Sequence, residues 1–237
     1  SEPVPKVEFR DVDFCYGGAK EPSLSGISLK VQPGQTVGVI GGTGSGKSTL
    51  VNLIPRFYDV FRGAVLVDGT DVRQWPLSEL RRRIGVVPQR AVLFAGSLRE
   101  NMKWGRRDAT DEEIYQALSI AQAKEFVDDK GEGLDLHIAQ EGKNLSGGQR
   151  QRLTIARALV RQPEILIMDD SASALDFATD AKLRKAIREE TKGMTVFLVS
   201  QRAATVRSAD VIVVLDDGAV AGIGTHSELI HSCQVYR

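Results

Sequence analysis

Long apolar stretches are missing from this sequence. Its apolar runs, such as residues 211–215, reach only about a quarter of the ~20 residues that a membrane-spanning helix needs. No signal-peptide pattern opens the sequence. If the chain serves a membrane assembly, we therefore expect the membrane-spanning part to lie outside this chain or in another subunit.

An excess of charge of either sign is missing too. Lysine and arginine together number 31, as do aspartate and glutamate, so the formal net charge is zero and no global basic field attracts nucleic acid. Cys15 and Cys233 are far apart and match no metal-binding spacing, which is typical of free thiols in a reducing compartment. His137, His226 and His231 share no ligand spacing, so we expect structural roles for them.

The sequence does contain enough apolar residues, 42%, for one large or two small cores. Strands are predicted at residues 7–16, 27–31, 36–40, 64–67, 84–87, 165–169, 195–200 and 211–215, with a Gly17-Gly18 turn after the first. Helices are predicted after Ser48 and over residues 78–83, 97–161 (most clearly 111–123) and 179–190. This order predicts a parallel sheet covered on both faces, interrupted by a helical block from about residue 90 to 160.

The strand at residues 36–40 runs into a glycine-rich motif, residues 41–48. Glycines let backbone N–H groups close around phosphate oxygens, and the helix that starts there adds its positive end. Lys47 would supply a charge to the β- and γ-phosphates, and the Ser48 hydroxyl a ligand for Mg²⁺. The predicted nucleotide-binding residues of this segment are Gly42, Thr43, Gly44, Ser45, Gly46, Lys47, Ser48 and Thr49.

Two acids follow the apolar run at residues 165–168. Asp169 would emerge at the carboxyl end of a strand, where open α/β sheets bind ligands. Its counterpart in phosphate-loop NTPases holds Mg²⁺, which predicts the same role here. Asp170 comes directly after it.

A second candidate anion site lies between these two motifs. The sequence Leu-Ser-Gly-Gly-Gln at residues 145–149 precedes a strongly helical stretch, residues 150–160. A serine and two glycines at a helix start can bind an anion. The predicted ligand-contacting residues are Ser146, Gly147, Gly148 and Gln149.

The phosphate loop, the strand-end acid and the signature between them resemble the nucleotide-binding domain of an ATP-binding cassette (ABC) transporter. The resemblance spans nearly the whole chain, and residues 86–89, 93–101 and 224–229 look most like exporter-type cassettes. It implies that Tyr16 stacks on adenine, although packing on the core is the alternative for a strand aromatic. It also implies that Gln89 contacts Mg²⁺ and senses the transmembrane helices, and that residues 173–176 touch a partner subunit.

The resemblance implies an α/β fold over residues 1–237: a phosphate-loop NTPase (RecA-like) core, an N-terminal antiparallel β-subdomain and an inserted α-helical subdomain. The core lobe is expected at approximately residues 1–88 and 162–237 and the helical subdomain at approximately 89–161. ATP and Mg²⁺ are the implied cofactors. A transmembrane domain and a second nucleotide-binding domain are the implied partners, with each signature covering the γ-phosphate bound by the other domain. The implied location is the cytoplasmic face of a membrane.

Two residues depart from the family pattern at the same chemistry. Asp170 stands where the family normally has a glutamate that activates water, and Gln201 where it has a histidine that contacts the γ-phosphate. Aspartate is one methylene shorter, and glutamine cannot carry charge. Gln140 also stands where the family usually has glutamate. The predicted catalytic residues are Asp170, Gln201 and Lys47, and the predicted Mg²⁺ ligands are Ser48, Gln89 and Asp169.

This pairing resembles one half of asymmetric, heterodimeric exporters, whose own phosphate loop builds a slow site while their signature completes the partner's competent site. The leading hypothesis is therefore the ATPase domain of such an exporter, slow in isolation. A non-hydrolysing regulatory module and a non-transport ABC ATPase are the alternatives. A GTPase is disfavoured, because the sequence has no Asn-Lys-x-Asp guanine motif.

Overall fold

Short apolar segments separated by turn residues form the strands of this structure, a computed structural model that describes residues 2–17, 23–42, 44–170, 173–191 and 193–236. The strands are β1 (Val7–Phe14), β2 (Leu24–Val31), β3 (Thr36–Ile40), β4 (Arg62–Val67), β5 (Thr70–Asp71), β6 (Ile84–Val87), β7 (Gly96–Ser97), β8 (His137–Ile138), β9 (Ile165–Asp169), β10 (Thr195–Ser200), β11 (Val211–Asp216) and β12 (Ala219–Gly224). The mixed α/β fold predicted from the sequence is confirmed.

Helices lie between groups of these strands along the chain. They are α1 (Lys47–Asn52), α2 (Leu77–Arg82), α3 (Leu98–Lys103), α4 (Asp111–Ile120), α5 (Lys124–Asp129), α6 (Gly147–Val160), α7 (Phe177–Glu190), α8 (Ala203–Val206) and α9 (His226–Ser232), with single 3₁₀ turns at Gly133–Asp135 and Gln140–Gly142. Within the described ranges, no helix combines the length and the apolar content that crossing a membrane requires. The predicted Gly17-Gly18 turn lies partly outside the described residues, because Gly18 is not among them.

The chain divides into two units, Ser1–Ile84 with Gly193–Arg237, and Gly85–Lys192. The first unit contains an antiparallel sheet with the strand order β2-β1-β4-β5. Burial nearly alternates along β2, as expected of a strand with one face on the core.

A second sheet of the first unit has β3 at its centre. The strand β3 pairs in parallel with both β10 and β11, and all six residues of β10 are buried. The strand β12, which the sequence analysis missed, extends this sheet in the antiparallel direction through a hairpin with β11. The β3 strand delivers the glycine loop to the helix α1, the order that the motif requires.

In the second unit, β9 lies next to β6, and α4 packs on α6. The helical prediction for residues 97–161 was wrong in one respect, because the two-residue strands β7 and β8 pair within this block. Thr110 caps α4 in a reciprocal box with Glu113. The pKa of the Glu113 carboxyl is lowered to about 2, mainly by its hydrogen bond with the Arg106 guanidinium and secondly by its hydrogen bonds with Thr110.

Candidate phosphate loop and signature helix

The phosphate loop leaves β3 at Gly41 and enters α1 at Lys47. Gly44 has a φ of 78° and Gly46 a φ of 95°, which is the left-handed region that glycine adopts without a Cβ penalty. Gly46 is the N-cap of α1 and offers no side-chain acceptor to the first helical amides. The start of α1 is therefore suited to an external anion. The predicted Thr43 lies outside the described residues.

The glycines of the loop divide into an inward and an outward pair. A Cβ on Gly41 would lie 2.7 Å from the Leu215 carbonyl oxygen, and one on Gly46 would lie 2.8 Å from Leu24 Cδ2. A Cβ on Gly42 or Gly44 would have no described atom within 4 Å. Gly41 and Gly46, the inward pair, permit close packing of the loop on the rest of the first unit. Gly42 and Gly44, the outward pair, leave the other side of the loop open.

Lys47 folds back across this loop. Its side chain is largely buried, at 8% exposure, and its Nζ donates a hydrogen bond to the Gly42 carbonyl oxygen at 3.3 Å. The Ser45 N–H donates to the same carbonyl at 3.1 Å. The ammonium is thus held over the loop by short-range contacts rather than extended into solvent.

Tyr16 lies beside the helix that follows the loop. Its hydroxyl and the Thr49 Oγ1 are 2.6 Å apart, and Thr49 is buried. The ring meets Phe14 edge to face, with centroids 4.9 Å apart, and it also contacts Tyr58. Because Tyr16 remains 42% exposed, part of its ring surface is free to stack on a planar ligand. The structure therefore brings together Tyr16 and Thr49, two of the residues predicted to bind the nucleotide.

Gln201 follows the buried strand β10 at an exposed bend. Ser200 is 2% exposed, and its Oγ accepts a hydrogen bond from the Arg202 N–H at 3.0 Å. This local bond fixes the turn that carries the Gln201 side chain out of the strand.

Asp169 and Asp170 occupy the end of β9 in the second unit, and both are half-buried. Asp170 has a φ of 52°, a left-handed conformation that aspartate tolerates better than most residues. The Asp170 carbonyl oxygen accepts a hydrogen bond from the Ser173 N–H at 3.3 Å. Gln89 lies two residues beyond β6 and is exposed. Within the described ranges, no group of three His, Cys, Asp or Glu side chains is placed to hold a metal ion.

The signature forms the first turn of α6, a helix of 14 residues. Ser146 is its N-cap: the Ser146 Oγ accepts from the Gln149 N–H at 3.1 Å, and the Gln149 Oε1 accepts from the Ser146 N–H at 3.0 Å. This is a reciprocal capping box with glutamine in the third helical position. Two of the predicted ligand-contacting residues therefore also have a structural role, which the sequence analysis did not recognise.

The two glycines of the signature pack against the loop that precedes α7. A Cβ on Gly148 would lie 3.3 Å from the Ala174 carbonyl oxygen and 3.5 Å from Leu175 Cδ2. A Cβ on Gly147 would lie 3.7 Å from that of Ala174. Gly148 therefore sits at a tighter approach than Gly147.

Gln151 joins α6 to this loop and was missed by the sequence analysis. It is 7% exposed; its Nε2 donates to the Ser173 Oγ at 3.1 Å, and its Oε1 accepts from the Ala174 N–H at 2.8 Å. The available signal was a polar residue on the apolar face of an amphipathic helix. Both ends of one amide thus hold the segment that the family resemblance assigns to a partner contact.

Replacing Gln151 by leucine is expected to loosen this loop. Leucine has nearly the same volume but leaves the Ala174 N–H without this acceptor, at a cost of about 1–3 kcal/mol for a buried donor. Chemical denaturation should show the loss, and amide exchange over residues 173–176 should accelerate. The exposed Gln116 on α4 provides the matched control, Gln116→Leu, for which neither quantity should change. Unaltered exchange over residues 173–176 in Gln151→Leu would show that the amide does not hold the loop.

Comparison with known proteins gives concordant matches. The ABC transporter family pattern matches residues 24–173. The chain is 46% identical over 233 residues to an uncharacterized ABC transporter ATP-binding protein of Mycobacterium bovis, covering 97% of this chain and 40% of that protein. It is 45% identical to the putative multidrug export ATP-binding/permease protein YgaD of Bacillus subtilis, over 94% of this chain and 39% of the relative. For the beta-(1→2)glucan export ATP-binding/permease protein NdvA of Rhodopseudomonas palustris, identity is 47% over 94% of this chain and 37% of the relative.

A solved structure agrees with these matches. The structure of a bacterial Atm1-family ABC exporter with ATP bound superimposes with a TM-score of 0.93 at 36% identity, over 98% of this chain and 41% of that one. The chain thus spans about 40% of the length of the relatives that it matches.

Proposed function

Because this chain belongs to the ABC transporter family, we propose that it is the ATP-binding and ATP-hydrolysing domain of an exporter, and that its own site turns over slowly. The observation that carries the ATP assignment is the phosphate loop, with its inward and outward glycines and the ammonium of Lys47 held across it. The exporter assignment draws on the names of YgaD and NdvA and on the Atm1-family structure.

The residues present fit a nucleoside triphosphate with Mg²⁺. The open side of Gly42 and Gly44 leaves room for phosphate oxygens, and Lys47 provides the charge that β- and γ-phosphates need. Tyr16 would stack on the adenine with its exposed ring surface. We propose Ser48, Gln89 and Asp169 as the residues that would provide oxygen ligands of the kind that Mg²⁺ prefers, and the bound ion would neutralise phosphate charge.

The signature serves a second nucleotide in this proposal. The amino-terminal end of α6 carries the partial positive charge of a long helix, and its two glycines are half-buried there. These groups would stabilise the charge that develops on a γ-phosphate held by a partner domain. The partner is therefore a second nucleotide-binding domain.

A membrane domain is the other proposed partner, with this chain at the cytoplasmic face. The second unit contains a cavity of about 610 Å³ that opens beside the segment after Gln89. Its wall carries both charged and apolar side chains, among them Arg90, Val92, Leu93, Glu141 and Arg150. Next to Leu93, the ring of Phe94 contacts that of Trp104, and the two are 42% and 70% exposed. We propose that an intracellular segment of the membrane domain covers this surface.

Slow turnover is proposed from the two residues that would handle the attacking water. Asp170 would accept the proton of that water, but its carboxylate reaches one methylene less far than a glutamate. Gln201 would donate a hydrogen bond to the γ-phosphate without adding positive charge. A non-hydrolysing regulatory module is the second candidate, and the same two residues favour it.

Restoring both residues together is expected to raise hydrolysis more than the sum of the single changes. Asp170→Glu and Gln201→His act on one water and one γ-phosphate, so their effects should couple. Steady-state turnover of the unchanged chain and the three variants at saturating MgATP measures this, and the unchanged chain should stay below about 1 s⁻¹.

Thermal unfolding of the four proteins serves as the control for this cycle, because a gain in turnover must not follow from a gain in folded fraction. Turnover of the unchanged chain within the ordinary enzyme range would contradict the slow site. Saturable ATP binding with no turnover in any of the four would favour the regulatory module instead.

A further inference from the structure

The hairpin between β11 and β12 has the tightest form of turn. Asp216 pairs with Ala219, so only Asp217 and Gly218 lie between the strands, and both have positive φ, 49° and 79°. Asp-Gly with two left-handed residues is the sequence and geometry of a type I′ turn. In such a turn, the N–H and C=O of the second residue are not needed for the strand ladder. Gly218 can therefore bond elsewhere.

Gly218 uses both of these groups, and one of them reaches the phosphate loop. Its N–H donates to the Ser45 carbonyl oxygen at 3.0 Å, and its carbonyl accepts from the Ser25 N–H at 2.9 Å. The turn is thus a hydrogen-bonded bridge from the edge of β2 to the loop.

The same hairpin supports the loop by direct packing. The inward face of Gly46 lies on Leu24 and the Ser23 carbonyl. A Cβ on Gly46 would also lie 3.7 Å from the Gly218 Cα. At the other end of the loop, the inward face of Gly41 lies on the Leu215 carbonyl of β11. The hairpin therefore contacts the loop at both of its inward glycines.

The bond to Ser45 has a directional consequence. In a trans peptide, the C=O and the following N–H point in opposite directions. Because the Ser45 carbonyl oxygen accepts from Gly218 on the hairpin side, the Gly46 N–H points to the opposite side, away from the hairpin. A donor directed to that side is what a phosphate oxygen requires.

We propose that the Asp217-Gly218 turn is a positioning element for the phosphate loop, and that Gly218 is a positioning residue for nucleoside di- and triphosphates. This inference rests on the proposed ATP-binding function. The turn lies more than 170 positions after the phosphate loop in sequence, and its hydrogen bond to Ser45 would orient an amide of that loop. The turn is not expected to select the nucleoside, because it acts on the phosphate side only.

The substitution Gly218→Ala tests the assignment. The new Cβ would lie 3.0 Å from the Ser23 carbonyl carbon and 3.4 Å from Leu24 Cα, so the turn must move and its bond to Ser45 must weaken. Gly131→Ala is the matched control: Gly131 has a φ of 76°, and no described atom lies within 4 Å of its missing Cβ. Both variants carry the same left-handed strain, and only Gly218→Ala disturbs the loop.

Binding of fluorescent analogues of ATP, ADP and adenosine separates positioning from general destabilisation. For Gly218→Ala we expect the Kd of ATP and ADP to rise about tenfold, as loss of an aligned donor to a charged acceptor predicts, with the Kd of adenosine within about twofold. Gly131→Ala should leave all three unchanged. Equal weakening of all three ligands, or no weakening, would overturn the role of Gly218.

Amide exchange of the unchanged chain provides a measurement that does not depend on the variant folding. The Gly218 amide should exchange more slowly with MgATP or MgADP than with adenosine, although the turn lies behind the loop. If the Gly218 amide exchanges at the same rate with MgATP, MgADP and adenosine, the proposal is overturned. Absence of ATP binding by the unchanged chain would instead overturn the proposed function.

Discussion

Replacing Lys47 by alanine is expected to weaken MgATP binding by at least about a hundredfold. Lys47 is 8% exposed, and its ammonium is already held across the loop by the Gly42 carbonyl, so a bound phosphate would meet it without reorganisation. Two charge-assisted hydrogen bonds at about 1.5–3 kcal/mol each account for a loss of this size. Titration of a fluorescent ATP analogue against both proteins measures it.

Two further variants make this result specific to Lys47. Lys185→Ala removes an exposed lysine on α7 and should leave the Kd unchanged, which controls for net charge. Lys47→Arg keeps the charge but replaces a compact ammonium by a planar guanidinium, so we expect an intermediate loss. If Lys47→Ala bound MgATP as well as the unchanged chain, the phosphate-loop assignment would be wrong.

The second large effect concerns the signature in an assembled heterodimer. Ser146→Arg should abolish most ATP turnover, because the proposal places this serine over the partner's competent site, where it stabilises charge on the transferred phosphoryl group. Asp170→Asn should leave much of the turnover, since it damages a site that is already slow. Turnover of reconstituted transporter carrying each variant gives the comparison.

The capping role of Ser146 requires its own control. Loss of a capping serine or threonine costs about 1 kcal/mol of helix stability, whatever the function of the helix. Thr110 has the same reciprocal box at the start of α4, so Thr110→Arg matches the structural cost without touching the signature. Turnover should survive Thr110→Arg. A greater loss from Asp170→Asn than from Ser146→Arg would mean that this chain carries the competent site.

The order of strand, glycine loop and helix was predictable because each part has its own local signal. The strand β3 is a short buried run, the left-handed positions hold glycine, and Lys47 opens the helix. The strand β9 was predicted with its observed ends for the same reason: four buried apolar residues stop at an acid. These features depend on neighbours along the chain, which a sequence displays directly.

The strand β12 and the amide of Gln151 were not predicted, and both depend on residues distant in sequence. No residue of β12 is fully buried, so it lacks the apolar face that marks a strand. Its one local signal, Asp217-Gly218, specifies a hairpin but does not show that Gly218 bonds to Ser45. Gln151 is explained only by Ser173 and Ala174, more than 20 positions away.

The capping box at Ser146 has a chemical consequence for what the signature can recognise. A serine hydroxyl normally both donates and accepts, but here a lone pair of its oxygen is occupied by the Gln149 N–H. Its hydrogen takes no part in the capping bond, so the side chain keeps a donor at that end. Such a group can donate to an acceptor such as an anionic oxygen. An aspartate would cap the same helix equally well, yet it would offer no hydrogen and would repel the anion. If the signature binds a phosphate as proposed, its helix start therefore needs a hydroxyl rather than any good cap.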